Sequence, residues 1–273
     1  MSMAQTLVNR SKIIGAALII LILGYFYAVH SSPPISLFDD ARLCLSDAFE
    51  TATLKNFKTE WSNLNITVNK CTQKLIQSLI LTELPNGDET KLAILPKYAE
   101  STCNVITLGI GKDIKSEKRL SQKHNQCTFL GIDPDAKVSG NLYITDLKGV
   151  YVQGVIGANG SIKAVPTENG APLYPNFSFQ NFISNYYSHE TLDILLMDIE
   201  SDEWALMKEL INYPDKYPII CQINVEYHDP ETVHEFSFFE DIRRSLQYGP
   251  YAPIRVETLK ELSYNRIFFC SVH

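Results

Sequence analysis

The chain has no surplus of positive charge: 24 Lys and Arg stand against 31 Asp and Glu in 273 residues, a formal net charge of −7. Without clustered cations to displace counterions from a phosphate backbone, nucleic acid is not expected as a partner. No Cys-x-x-Cys pair occurs among the six cysteines, so zinc-ribbon and thioredoxin-like readings fail. No Tyr-x-x-x-Lys pair occurs either, which counts against a short-chain dehydrogenase. Glycine and proline are both missing from Leu37 to Leu84, where apolar residues recur at spacings of three and four. That pattern predicts helices, closed by the turn Pro85-Asn86-Gly87-Asp88. With 45% hydrophobic residues the chain can bury a full α/β core, and its length allows one domain plus a stem.

Charge is also absent from Ile13 to Val29, and Arg10 and Lys12 precede that run. As a helix it spans about 26 Å, close to the roughly 27 Å core of an early secretory membrane. The positive flank predicts a cytoplasmic tail over 1–12, a single-pass type II signal anchor over 13–29, and a body in the Golgi or ER lumen. Tyr25 and Tyr27 suit the far interface. The alternative is a signal peptide cleaved near Val29-His30-Ser31, which makes the protein secreted. Either way the cysteines meet an oxidising compartment. Cys103 and Cys127 stand equally far before the strand-end residues Gly109 and Asp133. Adjacent parallel strands would set them side by side, as a bridge or as two buried thiols. Asn-x-Ser/Thr acceptors for glycosylation occur at Asn65, Asn159 and Asn176.

After a break at Ser31-Ser32-Pro33-Pro34, residues 30–100 read as a helical stem or cap in which nothing suggests chemistry. From Cys103 the pattern alternates. Asn104–Leu108, Thr128–Ile132, Tyr151–Ile156, Leu192–Met197, Ile219–Val225 and Ile267–Val272 read as strands; Lys115–His124, Phe179–Tyr187 and Asp202–Ile211 read as helices. Such alternation predicts βαβ units and a mostly parallel sheet, whose ligands bind beyond the carboxyl ends of the strands.

Gly109 and Gly111 follow the first of these strands, where glycine allows a tight turn and close approach of backbone N–H groups to a ligand. A dinucleotide fingerprint would need a third glycine at Ile114. Asp133 ends the next strand and can accept the hydroxyls of a ribose; as a single residue it is equally a turn residue before Pro134. Asp198 and Glu200 bracket the end of Leu-Asp-Ile-Leu-Leu-Met. Ser201 suits a helix N-cap, and Asp202 and Glu203 suit the positive end of a helix dipole. Glu226 and His228 lie on the same rim, where a histidine can serve as a general base or simply close a hydrogen-bond network.

In that order the segments V-I-T-L-G-I-G-K-D, F-L-G-I-D-P, V-I-G-A-N-G, L-D-I-L-L-M-D-I-E-S-D-E-W and C-Q-I-N-V-E-Y-H-D-P resemble the FkbM-type methyltransferases, in particular their lumenal animal branch. The resemblance runs from about Val105 to the C-terminus. It implies a class I Rossmann-like methyltransferase sheet with helices on both faces over 101–273, preceded here by the anchor and stem. It also implies S-adenosylmethionine as methyl donor and transfer to oxygen. The expected acceptor is a hydroxyl-bearing molecule such as a glycan. By position Gly109, Gly111, Asp113, Asp133 and Gly157 would line the donor, and Asp198, His228, Glu200 and Glu226 the reacting side. Asp198 is the first choice of base. Ser201-Asp202 departs from the family's Gly-Ala. The sequence calls for no metal. Two other readings stay open: a glycosyltransferase using Asp133-Pro134-Asp135 to hold a metal and a nucleotide-sugar, and a lumenal binding protein without catalysis.

Overall fold

The computed structural model describes residues 34–52, 56–87, 89–157, 174–200, 202–230, 237–259 and 264–271. The tail and anchor over 1–29, Asn159 and Ser201 lie outside them. Among the described residues no helix is long and apolar enough to cross a membrane.

Four helices come first: α1 (Pro34–Ala48), α2 (Phe57–Ser62), α3 (Leu64–Cys71) and α4 (Gln73–Ser78). Their apolar stripe (Phe38, Ala41, Leu45, then Leu64, Val68, Leu75) is buried in the same core as the sheet, so the predicted stem is not a separate stalk. Polar anchors reinforce it. The Arg42 guanidinium donates to the carbonyls of Ser245 (2.7 Å), Leu246 (2.9 Å) and Gly249 (3.0 Å), at a helix C-terminus where a cation is favourable. Thr72 donates to Ile254 O at 2.7 Å, and the Asn69 amide pairs with the backbone of Val256.

Helical structure stops at Ser78, earlier than the sequence pattern suggests. Strands β1 (Leu81–Pro85) and β2 (Thr90–Ile94) form a hairpin; of the expected turn, Pro85 ends β1, Asn86-Gly87 falls between the strands and Asp88 lies outside the described residues. The remaining elements are β3 (Cys103–Leu108), α5 (Lys115–Lys123), β4 (Cys127–Asp133), two π-helical turns (Ala136–Gly140 and Leu142–Asp146), β5 (Val150–Gln153), β6 (Val155–Ile156), β7 (Asn176–Phe177), α6 (Phe179–Tyr186), β8 (Thr191–Met197), α7 (Glu203–Asn212), β9 (Ile219–Tyr227), α8 (Phe238–Tyr248), β10 (Tyr251–Leu259) and β11 (Tyr264–Ser271).

Seven strands build the main sheet in the order β10-β11-β9-β8-β3-β4-β5. The run from β9 to β5 is parallel, and β11 is antiparallel to both neighbours. Alternate residues serve opposite faces. Val105, Ile194 and Leu196 meet Leu120 of α5 and Leu84 and Ala93 of the hairpin, whereas Ile106, Leu108, Leu195 and Met197 join the core with Phe182, Leu206 and Leu210 of α6 and α7. This is the expected α/β architecture. Two of its pieces escape the periodicity. Tyr151–Ile156 is broken into β5 and β6 at Gly154, and β10 carries a proline, Pro253, at a register shift on the sheet edge, where proline is tolerated.

Cys103 and Cys127 are partners in register on β3 and β4 and form a disulfide; Cys44 and Cys71 form a second, tying α1 to α3. Cys221 and Cys270 are free thiols. Non-reducing peptide mapping should therefore recover these two linked pairs and no other, and an unlinked Cys103 or Cys44 would contradict the arrangement. Replacing Cys44 and Cys71 by serine should lower stability by about 2–4 kcal/mol in denaturant titration.

Candidate active site

Strand order reverses between β3 and β8, which opens a crevice at their carboxyl ends. Gly109 and Asp198 meet there. The Asp198 N–H donates to Leu108 O and the Gly109 N–H to Ile132 O, both at 3.0 Å. Gly109 has φ 77°, and a Cβ on it would come within 1.8 Å of the Asp198 carbonyl oxygen. The first glycine thus lets two strand ends close on one another. Gly111 differs: at φ 63° a Cβ would meet nothing within 4 Å, so its backbone faces open space that a ligand can enter.

Asp133 is buried and organises this loop. Its Oδ2 accepts from the N–H groups of Ile110 (2.9 Å) and Gly111 (3.1 Å), and its Oδ1 from Asp135 N–H (2.8 Å). A carboxylate offers about four acceptor sites, so about one remains for a ribose hydroxyl without releasing the loop, fewer than the pair expected from the sequence. The open face over Gly111 and that remaining site fit S-adenosylmethionine. Asp113 is differently occupied: it accepts from Gly87 N–H (3.0 Å) and Lys115 N–H (2.9 Å), clamping the hairpin turn to the glycine loop. Gly157 follows β6, where a Cβ would come within 2.8 Å of the Asn176 side chain, so packing accounts for that glycine. Asp135 accepts from Lys137 and Val138 N–H groups as the cap of the first π-helical turn. Backbone amides thus engage both carboxylates of Asp133-Pro134-Asp135, and the other oxygen of Asp135 lies 3.6 Å from Lys112 Nζ.

The reacting side is assembled around His228, just beyond β9 and only 6% exposed. Glu203, the first residue of α7 and fully enclosed, accepts from His228 N–H (2.6 Å) and lies 2.9 Å from His228 Nδ1. The Trp204 indole N–H donates to His228 O at 2.7 Å. Nδ1 is thereby committed, and Nε2 faces Asp198 Oδ1 (3.5 Å), Glu226 Oε1 (3.6 Å) and Glu200 Oε2 (4.0 Å). All four predicted reacting residues converge on one point. Glu203 and Trp204 belong with them, although the sequence suggested only a dipole role for Glu203. An acid at a helix start next to a tryptophan, opposite a rim histidine, was the available signal.

Burial works against charge on His228, but the hydrogen bond and charge of Glu203, with Asp198 and Glu200, raise its pKa to about 9. Asp198 is pushed up to about 6, first by burial and then by Glu226. At neutral pH the imidazole is thus protonated and the Asp198 carboxylate ionised, so of these two groups it is Asp198 that can accept a proton.

Glu226 is held from another side, its Oε2 accepting from Arg266 Nε at 2.6 Å. Arg266 Nε also lies 3.4 Å from Glu89 Oε2, and Glu89 pairs with Lys91. Glu89 precedes β2 and Lys91 lies on it, so the 30–100 segment, read as devoid of chemistry, supplies two charged groups of the site. Beside them lies a cavity of about 440 Å³ between α3, the hairpin and the sheet, lined by polar groups including Asn65, Glu226, Arg255, Glu257 and Arg266.

Removing one partner of a buried charge pair strands the other, at a cost of about 3–5 kcal/mol. Glu203→Ala should lower stability by that order in denaturant titration, and Glu203→Gln, which keeps an acceptor oxygen, by distinctly less. Equal losses would mean that the carboxylate charge, and not its place as acceptor, sets the cost.

Residues 56–252 match the family model of the methyltransferase FkbM domain. No curated protein matches the chain. Similar solved structures include the fibrillarin pre-rRNA processing protein of Methanococcus jannaschii, with 9% identity and TM-score 0.41, covering 63% of this chain and 68% of that one. Another is the fibrillarin of Aeropyrum pernix with natively bound S-adenosyl-L-methionine, with 12% identity and TM-score 0.39, covering 63% and 67%. The family match takes in β3, β4, β8 and β9 with the strand ends that carry the site, and it extends over more than half of the sequence: the chain belongs to the FkbM methyltransferase domain family.

Proposed function

We propose that this S-adenosylmethionine-dependent methyltransferase transfers its methyl group to a hydroxyl oxygen, with a sugar hydroxyl as the favoured acceptor, in the lumen of the secretory pathway. The observation that carries the oxygen assignment is Asp198: an ionised carboxylate with its pKa raised to about 6, abutting the glycine loop and accepting no hydrogen bond among the described residues. When bound, the donor supplies an electrophilic methyl carbon, towards which a hydroxyl oxygen must approach in line while its proton leaves. Asp198 is placed to take that proton, because a base near the working pH transfers protons most effectively. Protonated His228 cannot do so; it steadies the charge of Asp198. Glu226, Glu89, Lys91 and Arg266 border the polar cavity, and such a lining favours a polyhydroxylated acceptor over an apolar one. The two disulfides and the uncharged run over 13–29 support the lumenal setting.

The test is methyl transfer from labelled donor to a panel of glycans. Asp198→Ala should leave donor binding near normal and lower turnover by about 10²–10⁴-fold. Asp133→Ala should weaken donor binding, since it releases the loop amides. Full turnover in Asp198→Ala would move the base elsewhere.

Location is tested separately. Asn176 packs its amide against Gly157, which leaves Asn65 and Asn159 as the better glycan acceptors. Protein from a secretory host should shift on endoglycosidase treatment, and Asn65→Gln with Asn159→Gln should abolish the shift. An unshifted wild-type band would argue against a lumenal body.

A further inference from the structure

Two clusters of potential ligand atoms share Asp198: Asp198 with Glu200 and His228, and Asp198 with Glu89 and Glu226. Their charge states differ. Glu89 and Glu226 are already matched by Lys91 and Arg266. Asp198 and Glu200 face no permanent cation within ion-pair distance among the described residues, and their partner is a single imidazole nitrogen. That nitrogen, Nε2 of a histidine only 6% exposed, makes no hydrogen bond among the described residues and is aimed at the carboxylates. Across the whole cluster Glu89, Asp198, Glu200, Glu203 and Glu226 outnumber Lys91, Arg266 and even a charged His228. The region is short of positive charge.

We propose that Asp198, Glu200 and His228 form a divalent-cation site at the mouth of the crevice, with Glu226 beside it and Glu203 as the positioning residue. Ligands bonded at about 2.0–2.2 Å to one ion lie about 3.0 Å apart when adjacent and about 4.3 Å apart when opposite. The separations of 3.5 Å from Nε2 to Asp198 Oδ1 and 4.0 Å to Glu200 Oε2 fall inside that range. Glu203 at Nδ1 supplies the carboxylate–histidine arrangement that fixes a ligating imidazole; the ion displaces the proton that Nε2 otherwise carries and releases it to solvent, so uptake should strengthen as pH rises. Glu200 adopts φ 54°, a left-handed conformation uncommon outside glycine, directly after the strand-end turn. One imidazole with two carboxylates suits Mn²⁺ better than Mg²⁺ or Ca²⁺, which prefer oxygen alone. On the O-methyltransferase reading, such an ion would bind the acceptor hydroxyl and make it more acidic.

Mn²⁺ titration of the purified full-length chain, followed by electron paramagnetic resonance, tests the site without requiring turnover. One Mn²⁺ per chain is expected. Glu200 is 86% exposed at its side chain, so Glu200→Gln should fold normally and bind at least about tenfold more weakly. Asp198→Asn should abolish uptake, and Glu203→Gln should weaken it by about 10–100-fold. No uptake by the folded wild type up to about 1 mM, the weak end of protein–cation affinities, overturns the site. Uptake unchanged by Glu200→Gln and Asp198→Asn overturns it equally. S-adenosylmethionine binding measured on the same samples reports separately on the methyltransferase reading.

Discussion

An ionised carboxylate shut away from water is strongly destabilising unless hydrogen bonds and opposite charge meet it directly. Glu203 is fully enclosed, and its Oε1 receives both N–H groups that His228 can offer from that side. The constraint acts both ways. The carboxylate is tolerable only if His228 sits where it does, and His228 is oriented only because Glu203 holds Nδ1. Trp204 extends the coupling: its indole holds His228 O and its rings pack against Trp61, Tyr227 and Phe238. The start of α7, the end of β9, α2 and α8 are therefore held together in one packed cluster. Nε2 is aimed at Asp198 by packing as much as by polarity.

On that rigid support the acids are sorted by their partners. Glu226 and Glu89 have guanidinium and ammonium groups, whereas Asp198 has only an imidazole and a rising pKa. Cations held by the hairpin and by β11 thus neutralise Glu89 and Glu226 and leave Asp198 and Glu200 facing only the imidazole. The hairpin is fixed by an unusual device. Gln222 and Asn224, two residues apart on β9, present side-chain amides that both donate to and accept from the backbone of Leu92 and Ile94 at 2.6–2.9 Å. These amides act as a surrogate strand edge and carry Glu89 and Lys91 to the rim.

That device also explains what could be read from the sequence. Strands such as Leu192–Met197 declare themselves by apolar runs, and strand-end residues like Gly109, Asp133 and Asp198 follow from the topology rule for α/β sheets. The hairpin does not. Ile76, Ile80 and Leu84 continue the helical spacing past Ser78, and the amides that hold strand 90–94 lie more than a hundred residues away. Pro253 hid β10 in the same fashion. Glu203 was misjudged because an acid in a first helical turn is ordinarily explained by the dipole, and only the packing of Trp204 shows that it is enclosed. Ser201, where the sequence departs from the family's glycine, lies outside the described residues. The helix itself begins at Glu203, with Asp202 in the cap position.

Side-chain contacts also cross the expected boundary between stem and domain near residue 100. Trp61 of α2 stacks within the aromatic cluster that holds His228, Asn265 donates to Trp61 O at 3.0 Å, and Asn69 of α3 pairs with Val256 of β10. The family match likewise begins at residue 56, ahead of α2. Helices that look like a spacer by composition thus form one wall of the polar cavity and part of the support for the histidine. A layer added to one edge of a shared sheet can in this manner change the acceptor side of the crevice while the donor loop, at β3 and β4, stays as it is.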